Sequence, residues 1–167
     1  KEIIRIDGHS QNDREYYTYL QNLIERITKR KISIGYRNNK NAIFITFSNK
    51  KFSAFLNDQL NFPYGKKQGM IISNKFLKKG FINNVLRGLF DTDGSIYFTK
   101  NNHKRDKRTY PIIEISSHNT NLINQLLKIL RGKGFNPILS HYKDSIKLHG
   151  KKEVTKWMCE IGSSNPY

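Results

Sequence analysis

Acidic side chains are scarce in this chain. Thirteen Asp and Glu stand against 30 Lys and Arg in 167 residues, a formal charge of +17. An excess of that size excludes most soluble metabolic enzymes. Cysteine is nearly absent as well. The single Cys159 can form no intramolecular disulfide, which agrees with a reducing compartment, and it reads as a buried thiol. No stretch approaches the roughly 18 to 20 consecutive apolar residues that span a bilayer, and the amino end lacks the pattern of a signal peptide. The expectation is a soluble, intracellular protein without membrane association. Apolar side chains are adequate: hydrophobic residues make up 37% and aromatics 12%. That supports a packed core and excludes a disordered basic tail, and the length fits one domain or two small fused repeats.

A charge of this sign and size implies a polyanionic partner. Nucleic acid is favoured because neutralising phosphates releases condensed counterions. A membrane surface is the rival, but the basic residues are spread along the chain and not gathered on one amphipathic helix.

An internal repeat organises the sequence. Residues 3–10 (IIRIDGHS) alternate apolar and polar and give way to a helical run at 17–28. Residues 112–119 (IIEISSHN) do the same before a helical run at 122–130. In each copy a Lys/Arg/Gly break follows, then two short alternating strands, near 32–37 and 42–47 in the first and 136–142 and 145–149 in the second. A closing helix begins at 49 in one copy and 151 in the other. The period of two turns Ile4, Ile6, Ile113 and Ile115 toward the helices and Arg5, Asp7, Glu114 and Ser116 outward. The second copy is preceded by a further helix at 81–90 and a strand at 95–100, which the first copy lacks. The divisions are therefore a first repeat at 1–66, a linker at 67–80 and a second repeat at 81–167.

One segment, Leu86-Arg87-Gly88-Leu89-Phe90-Asp91-Thr92-Asp93-Gly94, breaks two local rules. A glycine inside a helix costs about 1 kcal/mol relative to alanine, so another backbone is expected to pack closely at Gly88. Asp91 and Asp93 lie at the helix carboxyl end, where the macrodipole already disfavours negative charge. A cation should resolve that conflict. Gly94 is expected to form a left-handed cap. A calcium loop starting at Asp91 fails, because Ile96 falls where the loop needs Gly and Asn102 where it needs Glu.

Residues 86–94 resemble the nine-residue motif of the LAGLIDADG homing endonucleases, in the variant LRGLFDTDG, and Ser95-Ile96-Tyr97-Phe98 is similar to that family's first strand. Further similarity runs through 111–118, Phe135, Ile161-Gly162 and Ser164-Asn165-Pro166. The resemblance implies an α+β fold of two pseudo-symmetric αββαββα units with saddle-shaped antiparallel sheets, the first unit lacking its opening helix and strand. It also implies site-specific hydrolysis of double-stranded DNA with divalent metal, Mg²⁺ or Mn²⁺. By motif position Asp93 is the metal-binding, catalytic carboxylate, while Gly88 and Asp91 serve the helix interface. Lys152 (or Lys151) and Lys50 sit where the family places a lysine beside the scissile phosphate.

DNA readout would come from outward strand residues: Arg5, Arg37, Tyr97, Thr99, Glu114, Ser116, Lys147 and His149. The basic loop Lys104, Arg105, Lys107 and Arg108 would contact phosphates. Ile96 and Phe98 are expected to face the core. The chain departs from the family in showing one acidic helix end where two are needed. Asp7-Gly8-His9 is assigned to a strand and not to a first motif helix. A second acidic helix would come from a missing amino-terminal segment, another chain or a homodimer, and the chain alone is expected to cut both strands poorly. The alternative function is a non-cleaving module on the same scaffold, either an intron RNA maturase or a DNA-binding regulator.

Overall fold

The structure, a computed structural model, describes residues 2–37, 40–65, 69–78, 80–100 and 108–165. It divides into two compact units, Lys1–Leu60 with Ser164–Tyr167 and Asn61–Ser163.

In the first unit, period-two alternation over β1 (Ile4–His9) is followed by α1 (Arg14–Thr28), β2 (Ile34–Arg37), β3 (Ala42–Phe47) and α2 (Lys50–Ala54), which continues as a π-helical turn at Phe55–Gln59. The strands form an antiparallel sheet in the order β1-β3-β2, with Ile4 opposite Phe47 and Ile6 opposite Ile45. Ile43, Ile45 and Phe47 are buried against Tyr16, Tyr17 and Ile24 of α1. Gly8 is what lets α1 come so close. A methyl group there would stand 2.7 Å from the Tyr17 ring and from the Asp13 carboxylate. Asp7 lies in β1, as the repeat requires.

The second unit contains α3 (Asn74–Lys78), α4 (Ile82–Asp93), β4 (Gly94–Lys100), β5 (Arg108–Ser116), α5 (Thr120–Gly132), β6 (Ile138–Leu139), β7 (Ser145–His149) and α6 (Lys151–Glu160). From α4 onward this is the αββαββα order, with an antiparallel sheet β4-β5-β7-β6. Ile113, Ile115, Ile146 and Leu148 form one apolar sheet face, covered by Leu122, Ile123, Leu126 and Leu130 of α5 and by Leu86 and Phe90 of α4. Trp157 of α6 is fully buried, its ring 5.3 Å from Phe90 and 6.0 Å from Phe135. The order β1-α1-β2-β3-α2 repeats that of β5-α5-β6-β7-α6, with matching sheet neighbours. The difference lies at one edge: β5 also pairs with β4, whereas among the described residues β1 pairs with β3 alone.

Four expectations are corrected here. The segment expected as a linker contains α3 and is tied into the second unit. Gln125 of α5 donates to the Ile72 carbonyl at 2.8 Å and accepts from its amide at 2.6 Å, and the Asn119 side chain donates to the Met70 carbonyl at 2.6 Å. Side-chain amides hold this stretch together with buried Ile72, against whose core cluster Met70 and Phe76 pack. Cys159 is exposed, because two residues beyond buried Trp157 is about 200° around the helix. Ile96 and Phe98 lie on the inner face, opposite Ile113 and Pro111, yet remain 38% and 54% exposed. Their strand is the sheet edge, and the helices do not cover it.

Gly94 is not a left-handed cap. Its φ of −97° and ψ of 161° carry the chain from α4 directly into β4. Glycine is needed for space, since a Cβ would meet the Phe90 ring, its carbonyl oxygen at 2.5 Å and its Cα at 2.8 Å. The neighbour is backbone that cannot swing aside. Gly94→Ala is therefore expected to destabilise by about 1–3 kcal/mol, read as a lower urea midpoint with an unchanged m-value.

No helix among the described residues is long and apolar enough to cross a membrane.

Candidate nucleic-acid interface and metal-binding helix end

Three faces of α4 have three uses. Leu86 and Phe90 enter the core. Asn83, Arg87 and Asp91, spaced four apart, stitch the helix to the end of α6. The Asn83 side chain donates to the Glu160 carbonyl at 3.0 Å, Arg87 Nε donates to the Ile161 carbonyl at 2.6 Å, and the Ser163 hydroxyl donates to Asp91 Oδ1 at 2.6 Å. Arg87 thereby supplies a cation and a donor to the carboxyl end of α6, where both are favourable. Asp91 is thus engaged as a structural tie. On the third face lies Gly88, where an added Cβ would meet nothing within 4 Å. The close backbone expected at Gly88 is not provided by the described residues of this chain.

Asp93 closes the helix, exposed, with the Thr92 hydroxyl 3.0 Å from its Oδ2. That hydroxyl is also 3.0 Å from the Gly88 carbonyl. No cation is paired with the Asp93 carboxylate among the described residues. It sits at the negative end of the macrodipole, a placement that costs an isolated helix about 0.3–1 kcal/mol. Lys50 begins α2 and Lys151 and Lys152 begin α6, all exposed, at the positive ends of their helices. These placements are unfavourable for the helices alone and become favourable when an anion sits at the lysines and a cation at the carboxylate. Among the described residues no group of three or more His, Cys, Asp and Glu side chains gathers to hold a metal. Asp93 offers one protein ligand. Mg²⁺ commonly binds through one or two carboxylates, with substrate phosphates and water completing the shell, and an exposed, uncompensated carboxylate fits that role.

The outward faces of both sheets carry polar side chains held by their neighbours. In the first, Arg5 donates through Nε and Nη2 to Asp7, at 2.8 Å and 2.6 Å. Hydrogen bonding from Arg5 holds the Asp7 carboxyl below the usual carboxylate range. The Arg5 guanidinium lies 4.6 Å and that of Arg37 5.5 Å from the centre of the Phe44 ring. Phe44 in turn covers Gly35, across from it in register. Asp7 was read from sequence as an outward strand residue but not as a partner of Arg5, and Phe44 was not singled out, although period two in β3 places Phe44 and Thr46 outward and Ile43, Ile45 and Phe47 inward.

In the second sheet the centre is Glu114. Its Oε2 accepts from the Tyr97 hydroxyl at 2.7 Å and its Oε1 from the Ser145 hydroxyl at 2.7 Å, with Lys147 Nζ 3.4 Å from Oε1. The register places Lys147 directly opposite Glu114, and Ile112 between Tyr97 and His149. Burial works against the Glu114 charge, but the Ser145 and Tyr97 bonds and the charge of Lys147 outweigh it and lower its pKa. Burial and the bond to Glu114 raise the Tyr97 phenol. Burial also opposes the Lys147 charge, yet Tyr97 and Glu114 reverse the balance and raise it. Ser116 is exposed, and Thr99 is half-buried beside Tyr110. Lys104, Arg105 and Lys107 fall outside the described residues. Arg108 opens β5, and its backbone alone is described.

His149 is held below the usual histidine value by burial, with the charge of Lys147 adding to the effect. The unfolded chain then binds protons more readily at this group, so its contribution to stability is complete above about pH 6.5 and declines as pH falls below it. His149→Gln should flatten the fall in Tm between about pH 7 and pH 5, measured by circular dichroism across that range.

The profile of the LAGLIDADG-like domain matches residues 80–156. None of the curated proteins matches the chain in sequence. Among solved structures, mesophilic variants of the homing endonuclease I-DmoI are similar at 17% identity and a TM-score of 0.56, covering 95% of this chain and 79% of that one. I-DmoI in complex with DNA and Ca gives 15% identity and a TM-score of 0.56, covering 98% and 78%. The LAGLIDADG homing endonuclease I-GzeII in complex with its DNA target gives 13% and 0.55, covering 98% and 75%. The chain has the fold of these proteins.

Proposed function

We propose, from residues 80–156 being a LAGLIDADG-like domain on the fold of the homing endonucleases, that this protein binds double-stranded DNA along the outward faces of its sheets. It hydrolyses phosphodiester bonds there with a divalent metal at Asp93. The observation that carries the reading is Asp93 itself: an exposed carboxylate at a helix carboxyl end, unpaired with any cation among the described residues, in a chain of net charge +17. A protein that only held DNA would gain nothing from a carboxylate beside phosphates unless a cation lay between them. I-DmoI was solved with DNA and Ca, which supports a divalent ion for this fold. Mg²⁺ or Mn²⁺ bound there supplies an activated water and stabilisation of the leaving 3′ oxygen.

This chain's own residues do the rest. The Thr92 hydroxyl, whose one proton is shared among the Gly88 and Leu89 carbonyls and the Asp93 carboxylate, lies beside that carboxylate. Arg87 and Asp91 hold the helix against α6, so that the carboxylate projects from a rigid element. Lys152 presents its ammonium group, with its helix amino end, to phosphate oxygens, where it offsets the charge that develops during displacement, and Lys50 offers the equivalent group within the first unit. Gly88 leaves room for a second helix to approach α4. That helix, with its own acidic end, would come from a segment preceding residue 1, from another chain, or from a second copy through the same face.

A second reading, a non-cleaving module for intron RNA or regulatory DNA, is favoured by one observation: the described residues supply a single acidic helix end. Competition binding separates the nuclease from the RNA module, and metal-dependent scission of the bound duplex separates it from the DNA regulator. The nuclease reading predicts that duplex DNA displaces a labelled duplex at lower concentration than structured RNA does. A preference for RNA would transfer the assignment to the maturase, and displacement by anionic vesicles alone would reject both.

A further inference from the structure

Glu114 stands among the expected DNA contacts, yet both its oxygens are already used. Oε2 holds the Tyr97 hydroxyl and Oε1 holds the Ser145 hydroxyl, each at 2.7 Å, with Lys147 Nζ 3.4 Å away. Its side chain is 20% exposed, which leaves little of it to meet a base. An ionised carboxylate only accepts hydrogen bonds. The one phenolic proton of Tyr97 is therefore committed inward, and the oxygen has only acceptor capacity left to present outward. Lys147 directs its charge at both Glu114 and the Tyr97 oxygen and keeps further N–H groups, which can only donate. Ser145 is 4% exposed and takes no part outside the protein.

The outward display is thus ordered across the sheet, with an acceptor on β4 and donors on β7. Each base pair shows three polar positions in the major groove. A G·C pair presents the guanine N7 and O6 acceptors followed by the cytosine N4 donor, whereas an A·T pair presents acceptor, donor, acceptor. Two donors beside one acceptor complement G·C alone. Resting on the duplex-binding reading above, we infer that Glu114 is a positioning residue that fixes the polarity of Tyr97 and Lys147, so that together they select a G·C pair, lysine on guanine and tyrosine on cytosine. Glutamine at 114 would undo this, because its amide both donates and accepts and the tyrosine proton is released to point either way.

Selection from randomised duplexes by the full chain tests it, with wild type, Glu114→Gln, Tyr97→Phe and Lys147→Met compared. Wild type should enrich G·C at one position by roughly tenfold or more, the scale of a good paired base contact. Glu114→Gln should bring that preference close to unity, although it keeps the side-chain volume and both DNA-facing residues. Its salt slope should fall by less than the ~0.9 unit that loss of a phosphate contact gives, a result that general loss of structure would not produce. Tyr97→Phe, which removes only the hydroxyl, should weaken the preference at the same position and keeps the test decisive if the glutamine variant folds poorly. Retention of the G·C preference in Glu114→Gln while Tyr97→Phe and Lys147→Met lose it would overturn the positioning role. Salt-dependent binding with no position altered by any variant would overturn the inference alone. Absence of duplex binding by wild type would remove the reading it rests on as well.

Discussion

Raising the salt from about 50 to about 200 mM is expected to reduce the affinity of this chain for duplex DNA by roughly 10³–10⁵. The expectation follows from charge and its placement. Each phosphate neutralised by lysine or arginine releases condensed counterions, and log K falls by about 0.9 per contact for each decade of salt. The two sheets and the helix starts offer Arg5, Arg37, Lys147, Lys50, Lys151 and Lys152, six basic side chains at or beside the proposed interface, before the basic run at 103–108 of the sequence is counted. Some of that charge is internally engaged. Arg5 is held by Asp7 and Lys147 faces Glu114, so these two contribute more to orientation than to counterion release, and the slope should lie nearer six contacts than ten. Fluorescence anisotropy of a labelled duplex across the salt range measures it. A slope near one or two would mean that the net charge is not directed at phosphate.

Asp93→Asn is expected to lower the single-turnover rate of phosphodiester cleavage by at least about 10²–10³, the scale on which removing one group that stabilises transition-state charge acts, while duplex affinity measured in chelator stays equal or rises. The two effects have opposite signs for one reason. The carboxylate repels the phosphates that the protein's positive charge attracts, and a metal between them converts that repulsion into attraction. Asparagine removes the negative charge, the repulsion and the metal's anchor together. The helix should tolerate the change, because Asp93 is exposed at a carboxyl end where the dipole disfavours it. The same argument separates Asp93 from Asp91. Asp91 accepts from Ser163, so its amide variant should act through the packing of α4 on α6 and show as lower stability along with any loss of rate.

Much of this architecture was readable from periodicity. Alternation in 3–10 and 112–119 defined β1 and β5, and the parallel continuation of the two copies gave β3 and β7 within a residue. Among the described residues β1 pairs only with β3. What escaped was structure held by side chains acting one at a time. Gln125 and Asn119 fasten 70–72 to α5 through backbone groups, and nothing in an apolar pattern signals such a bond. Gly94 carries a cue for a cap, but its reason is the Phe90 backbone beneath it, a contact that exists only once helix and strand are joined. At the site, the outward positions of Arg5, Glu114 and Lys147 followed from period two, whereas their pairing did not. Arg5 with Asp7 is a local pair two residues apart, and Glu114 with Tyr97, Ser145 and Lys147 spans three strands whose register the sequence leaves open. The Asn83, Arg87 and Asp91 stripe did carry a signal, the spacing of four on one helix, and it points to a tertiary partner for that face.

The central claim is that this scaffold cuts DNA as well as binding it, and strand-resolved scission tests that most directly. A duplex spanning the locus of the protein's own gene, with each strand labelled separately, is incubated with the full chain at low salt, with Mg²⁺ or Mn²⁺ and with chelator. The account predicts scission at a defined phosphate that requires the divalent ion, with nicks in one strand well in excess of double-strand breaks, because the described residues supply one acidic helix end. Saturated binding of the same duplex with both strands intact in either metal would contradict it and leave a DNA-holding module in its place.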